Sequence, residues 1–180
     1  MFFIYQNKRI MKNSIFIFTA MIMMAFLAQT QNISAENPPQ KKMWAKSFLG
    51  QKAPEIQVEG WITEPVNLEG KYVLVDIWAT WCGPCRKGIP ELNEWQKKFK
   101  DQLVIIGISN ETKEKVEPYA KQNIEYANGY DTQSRLKNAL KVTGIPHVIL
   151  IDPNGIVIWE GFPKLPGNEL TTEVLKGFMK

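Results

Sequence analysis

The stretch Tyr72-Val73-Leu74-Val75-Asp76-Ile77-Trp78-Ala79 constrains the fold most, because it is apolar at nearly every position and leads into Trp81-Cys82-Gly83-Pro84-Cys85. An unbroken apolar run suits a central strand covered on both faces, not one with a wet side. Beyond the cysteines, Ile89, Leu92, Trp95 and Phe99 recur at intervals of four, three and four residues, the stripe of an amphipathic helix packed on a sheet. Strand gives way to helix at the cysteines. They therefore sit at the carboxyl end of a central strand, where open sheets keep their sites.

The rest of the chain extends this pattern. Gly50 to Pro54 marks the lead-in to the compact part, and Glu55 to Ile62 reads as an edge strand or hairpin. Leu103 to Ile108 is a second buried strand. Thr112 to Asn123 is helical in composition with Pro118 inside, so this helix starts late or kinks. A short extended piece around Tyr126-Ala127 and a small helix near Gln133 to Leu140 follow. His147 to Ile151 and Ile156 to Glu160 flank Asp152-Pro153-Asn154-Gly155, whose turn chemistry predicts an antiparallel hairpin. Leu170, Val174 and Phe178 mark a last helix stripe. The expected class is α/β, a central mixed sheet with helices on both faces.

The N-terminus bears on the compartment. Lys8, Arg9 and Lys12 precede an apolar run from Ile15 to Ala28, after which the chain turns polar, the order of a secretory signal. Those fourteen residues would rise only about 21 Å as a helix, short of the roughly 30 Å core of a bilayer. Cleavage is expected after Ala35, where Ile33 and Ala35 present aliphatic or small side chains; a retained run would instead tether the domain. Met11 also begins a compact signal. The expected organisation is a signal over 1–35, a flexible leader over 36–49 and one domain over 50–180. Of 22 Lys and Arg, three fall in the signal, leaving 19 against 18 Asp and Glu. So near-neutral a domain offers no basic stripe for nucleic acid or anionic lipid.

The chain has two cysteines and one histidine. A closed zinc site wants four ligands, so no metal is expected. A disulfide closing so short a loop removes little entropy from the unfolded chain, which makes stapling a poor explanation. Redox exchange remains, and it needs no cofactor.

At a helix opening, Cys82 lies beside unpaired N–H groups and the positive end of the helix dipole, and both favour a thiolate. Lowering a thiol pKa from about 8.5 to about 7 raises its ionised fraction at neutral pH from roughly a thirtieth to roughly a half. Cys82 is the expected attacking sulfur, and Cys85, one turn deeper, resolves the mixed disulfide. Pro84 suits a first helical turn, where its missing N–H has no partner to lose. Asp76 interrupts an apolar strand, so it is neutral, paired or kept for a purpose; taking the proton from Cys85 is the catalytic reading and an ion pair the structural one. Ile145-Pro146 stands where a cis bond would turn the backbone of Ile145 towards an extended client. His147 is expected to be packing or surface. Trp61, Trp78, Trp81 and Tyr119 belong to the core or to a client groove.

The stretch Val75 to Cys85, with Gly144-Ile145-Pro146 and the Asp152 to Gly155 turn, resembles the thioredoxin superfamily from about Gly50 onward. The segment Asn110 to Lys141 and the export signal resemble the TlpA-like branch of exported thiol-disulfide reductants. That resemblance implies a thioredoxin fold with an extra helix-containing insertion before a cis Pro146. It also implies a client surface at Trp81, Gly83, Pro84, Ile145 and Pro146. Clients would be disulfides of exported proteins, apocytochrome c among them, in a periplasmic setting with a membrane thiol-disulfide electron donor. Two positions depart from the branch: Gly88 stands where many members carry a glutamate, and Asp76 matches the buried acid of cytosolic-type thioredoxins while its usual lysine is replaced near Ile106. On those departures a general reductant is expected over one dedicated to cytochrome maturation. The Gly-Pro dipeptide resembles reducing thioredoxins, near −270 mV, more than an oxidase near −120 mV, a gap of roughly 7 kcal/mol for two electrons. An exported oxidase or isomerase is the alternative enzyme, and a thioredoxin-shaped binding module the alternative from another class. Val75 and Ala79 stand where peroxiredoxins carry proline and threonine or serine, which argues against a peroxidase.

Overall fold

The computed structural model describes residues 44–180; the signal and the leader up to residue 43 lie outside the described residues. In chain order the elements are β1 (Gly60–Trp61), β2 (Tyr72–Trp78), α1 (Gly83–Lys98), β3 (Leu103–Ser109), α2 (Lys113–Asn123), β4 (Ala127–Tyr130), α3 (Arg135–Ala139), β5 (His147–Ile151), β6 (Val157–Gly161) and α4 (Thr172–Phe178). They form one mixed sheet in the order β1-β4-β3-β2-β5-β6. β2 runs parallel to β3 and antiparallel to β5, so the apolar run is central, as its composition requires.

The two faces of the sheet are covered differently. Leu74, Trp78, Leu103, Ile105, Val148 and Leu150 pack with Ile89, Leu92 and Trp95 of α1, Val116 and Ala120 of α2 and Leu175 of α4. Val73, Val75, Ile77, Ile106, Ile108 and Ile149 pack under α3 through Leu136 and Leu140, and under the stretch that carries Phe48, Ile56 and Trp61. One face thus takes three helices, the other a short helix and irregular chain. Among the described residues, no helix is long and apolar enough to cross a membrane.

Several elements differ from expectation. Of Glu55 to Ile62 only Gly60–Trp61 forms a strand, paired antiparallel with β4. α2 begins at Lys113 and keeps Pro118 within it, and α1 likewise contains Pro90. The last helix has another phase: its N-cap is Thr171, whose Oγ1 accepts from Val174 N at 3.2 Å, so Leu170 lies outside the helix. Val174 is then exposed, and Leu175 and Met179 are buried with Leu170. The chain also joins the body before residue 50. Trp44 packs edge-on against Phe162, Lys46 N donates to Leu140 O, and Glu160 accepts from Ser47 Oγ and Phe48 N. An indole and a buried carboxylate recruit this part of the leader, which follows directly on the polar run Glu36 to Lys42. The hairpin forms as expected: Asp152 Oδ1 accepts from Asn154 N and Ile156 N, and β5 and β6 pair antiparallel.

Candidate active site

The motif cysteines meet at the start of α1. Cys82 is the N-cap in extended backbone, and Gly83 and Pro84 open the helix. The sulfurs are joined in a disulfide with the Cα atoms 5.3 Å apart, the oxidised form of the pair. Cys82 Sγ accepts from Cys85 N at 3.2 Å. A thiolate at the same place would receive that donor together with the helix dipole, which gives the expected acidity of Cys82 a geometric basis. In this oxidised form each cysteine residue is 3% exposed, so burial alone does not separate them. What distinguishes them is the cap on one side and the interior on the other. Cys85 lines a cavity with Asp76, Pro84, Gly88, Leu92 and Pro146.

Asp76 is 2% exposed, and burial pushes its pKa from 3.8 to about 7. Desolvation is the main cause, since a carboxylate in the low-dielectric interior loses its hydration. The Tyr126 hydroxyl pulls the pKa back in part, without reaching ordinary hydrogen-bond geometry. Burial, with the Asp76 charge second, in turn drives the Tyr126 pKa well above its usual value. The residue opposite Asp76 in the register is Gly107, next to Ile106, so no cationic side chain stands across from it on β3. A Cβ on Gly107 would meet Asn128 Nδ2 at 2.4 Å and Trp78 Nε1 at 3.1 Å. The buried Asn128 amide therefore fills the space a longer side chain on β3 would claim. Spacing could not disclose this, because Tyr126 and Asn128 come from the neighbouring strand region, fifty and more residues further along the chain.

The rim is assembled from distant segments. Trp81 is 68% exposed, whereas Trp78 is wholly buried and Trp61 and Tyr119 are half-buried. The Ile145-Pro146 bond is cis. Pro146 lines the Asp76 cavity and, with Ile145 and Pro84, a second groove bounded by Trp44 and Phe162. His147 pairs with Ile77, and Val148 with Asp76, so alternation puts the buried histidine on the face opposite Asp76. The Glu111 carboxylate was not foreseen: it accepts from Thr80 N at 2.6 Å and Thr80 Oγ1 at 2.8 Å, fixing the chain just ahead of Trp81. Among the described residues no acid, histidine or cysteine cluster has the make-up of a metal site.

Comparison with known proteins adds the relatives. A family model described as thioredoxin-like matches residues 70–157. The thiol-disulfide oxidoreductase ResA of Bacillus cereus is 33% identical over 141 residues, covering 75% of this chain and 79% of that one. Among solved structures, a thiol:disulfide interchange protein DsbE from Chlorobium tepidum superposes with a TM-score of 0.65 at 27% identity, covering 73% of this chain and 98% of that one. The thioredoxin domain of a thiol-disulfide oxidoreductase from Bacteroides vulgatus does so with a TM-score of 0.61 at 29% identity, covering 73% and 98%. These relatives, of the ResA and DsbE type, back the alternative exchanger readings better than the general reductant that Gly88 and Asp76 had pointed to. A redox-active cysteine pair on this fold, with these relatives, places the chain in the thioredoxin-fold family of TlpA/ResA/DsbE-type thiol-disulfide oxidoreductases.

Proposed function

We propose that the chain acts outside the cytoplasmic membrane as a reductant of vicinal-cysteine disulfides of the apocytochrome c kind, re-reduced by a membrane thiol-disulfide donor. The observation that carries this is the similarity to ResA over 141 residues, reaching well beyond the cysteine motif. The export signal read at the N-terminus supports the compartment, and the Asn110 to Lys141 segment is read as the insertion of that branch.

In the reduced protein the Cys82 thiolate attacks one client sulfur. A mixed disulfide forms, the client S–S bond breaks, and the departing thiolate takes a proton. The Cys85 thiol gives its proton to the Asp76 carboxylate, and the resulting thiolate attacks Cys82 Sγ. That step restores the Cys82–Cys85 disulfide and frees the second client thiolate, so two electrons pass to the client. Asp76 fits this role because it shares a cavity with Cys85 and its pKa of about 7 lets it hold or release a proton at neutral pH. Trp81, Gly83, Pro84, Ile145 and Pro146 form the client surface, the backbone of Ile145 offering an extended segment its hydrogen bonds.

Reduction of an oxidised Cys-x-x-Cys-His peptide is to be compared with reduction of insulin. The reading expects the peptide to react faster by tenfold or more, with Cys82→Ser inert on both. Equal rates would return the chain to a general reductant, and oxidation of the reduced peptide in place of reduction would make it an oxidase.

A further inference from the structure

We infer that Trp44 is a specificity-determining residue: with Phe162 and Leu165 it walls an apolar subsite on the active-site rim that takes a large apolar side chain of the client, next to the client's disulfide. This rests on the disulfide-reductase reading above.

Trp44 is held against the loop that delivers Pro146. Its carbonyl accepts from Thr143 N at 2.7 Å and Thr143 Oγ1 at 3.0 Å, and Lys46 N donates to Leu140 O at 2.8 Å. The side chain lies over Gly144, where a Cβ would come within 3.2 Å of Trp44 Cβ and Cγ. On its other side the indole meets the Phe162 ring edge-on, with centroids 4.6 Å apart. A side chain at position 144 would thus press against the indole, which would have to give by a few tenths of an ångström.

The groove beside it offers about 260 Å³, room for one large side chain. Pro84, Ile145 and Pro146 also line it, so it is continuous with the client surface proposed above. That continuity makes the client itself the occupant. The groove's charged member, Lys164, has its ammonium paired with Glu91, and the walls are otherwise apolar or proline, which selects for hydrophobic side chains. Trp44 and the stretch from Phe162 to Leu165 both fall outside residues 70–157, so selectivity is carried where the shared thioredoxin-like match ends.

The test uses the exported protein and two oxidised peptides with one disulfide, flanked by tryptophan in one and serine in the other. Wild type is expected to favour the tryptophan peptide about tenfold in kcat/KM, mainly through KM. Trp44→Ala should bring that ratio near one while leaving reduction of dithiodipyridine unchanged, and Trp44→Phe should restore most of it. Should Trp44→Ala fail to fold, Leu165→Ala from the facing wall is expected to lower the same ratio. A wild-type ratio of one, a ratio unmoved by these variants, or an equal loss on the small disulfide would overturn the subsite. So would a dimer abolished by Trp44→Ala, which would make a second copy the occupant. Failure of the wild type to reduce dithiodipyridine would instead sink the reductase reading.

Discussion

Asp76 and Asp131 are almost equally buried, at 2% and 1% exposure, yet they sit in opposite circumstances. Asp131 accepts from Arg135 N at 2.6 Å, Nε at 2.9 Å and Nη2 at 2.8 Å, so its charge is met from three directions at the start of α3. Glu160 is similarly engaged by Ser47 Oγ and Phe48 N. Asp76 is paired in the sheet with a glycine, and its one side-chain partner among the described residues is a tyrosine hydroxyl that falls short of a full hydrogen bond. Partnered acids fasten segments together. Asp76, given no charged partner among the described residues, is instead expensive to ionise, which is why the proposed mechanism gives it the proton of Cys85.

The largest expected effect concerns that expense. Unfolded, Asp76 ionises near 3.8, and folded near 7. Between those values the folded protein holds a proton that the unfolded chain releases, so stability falls as pH rises through the window, by up to about 4 kcal/mol above pH 7. Asp76→Asn should remove that slope. Denaturant unfolding is expected to find the variant level with wild type near pH 4 and more stable at pH 8, while its mixed disulfides resolve more slowly. Parallel stability curves would show Asp76 to be compensated like the other acids.

Asp131→Ala sharpens the contrast from the opposite side. It removes the acceptor of three Arg135 hydrogen bonds, though the partly exposed guanidinium can be hydrated, and should cost about 2 kcal/mol at neutral pH, with turnover per folded molecule unchanged. Glu160→Gln should cost about 1–2 kcal/mol, with faster hydrogen exchange over 44–49, because one charge-assisted bond to that segment weakens. The smallest effect is expected from Tyr126→Phe. Removing a hydroxyl that lowers the Asp76 pKa should shift the midpoint of its titration above 7, read by carboxyl NMR against pH; a downward shift would assign the hydroxyl the reverse role.

The central strand, the cysteine helix and the β5–β6 hairpin were legible because each writes a local rule into contiguous residues: an unbroken apolar run, a 3.6-residue stripe and an Asp-Pro-Asn-Gly turn. Asp76 was legible as an anomaly for the same reason. Tyr126, Asn128 and Glu111 were not, since their place beside the site follows from strand order and loop return. Trp44 was read with the leader because it follows the polar run Glu36 to Lys42, and Gly144 and Phe162 meet it only in the folded chain. The phase of α4 was misjudged because Leu170 precedes the cap that starts the helix.

The account turns on a dithiol that gives its electrons away. The reduction potential of the Cys82–Cys85 couple, measured by equilibration against glutathione and dithiothreitol at pH 7, tests this most directly. A value near −270 mV is expected of a reductant opened by Gly-Pro at a helix start, whereas a value near −120 mV would mark a protein that takes electrons from its clients and contradict the account.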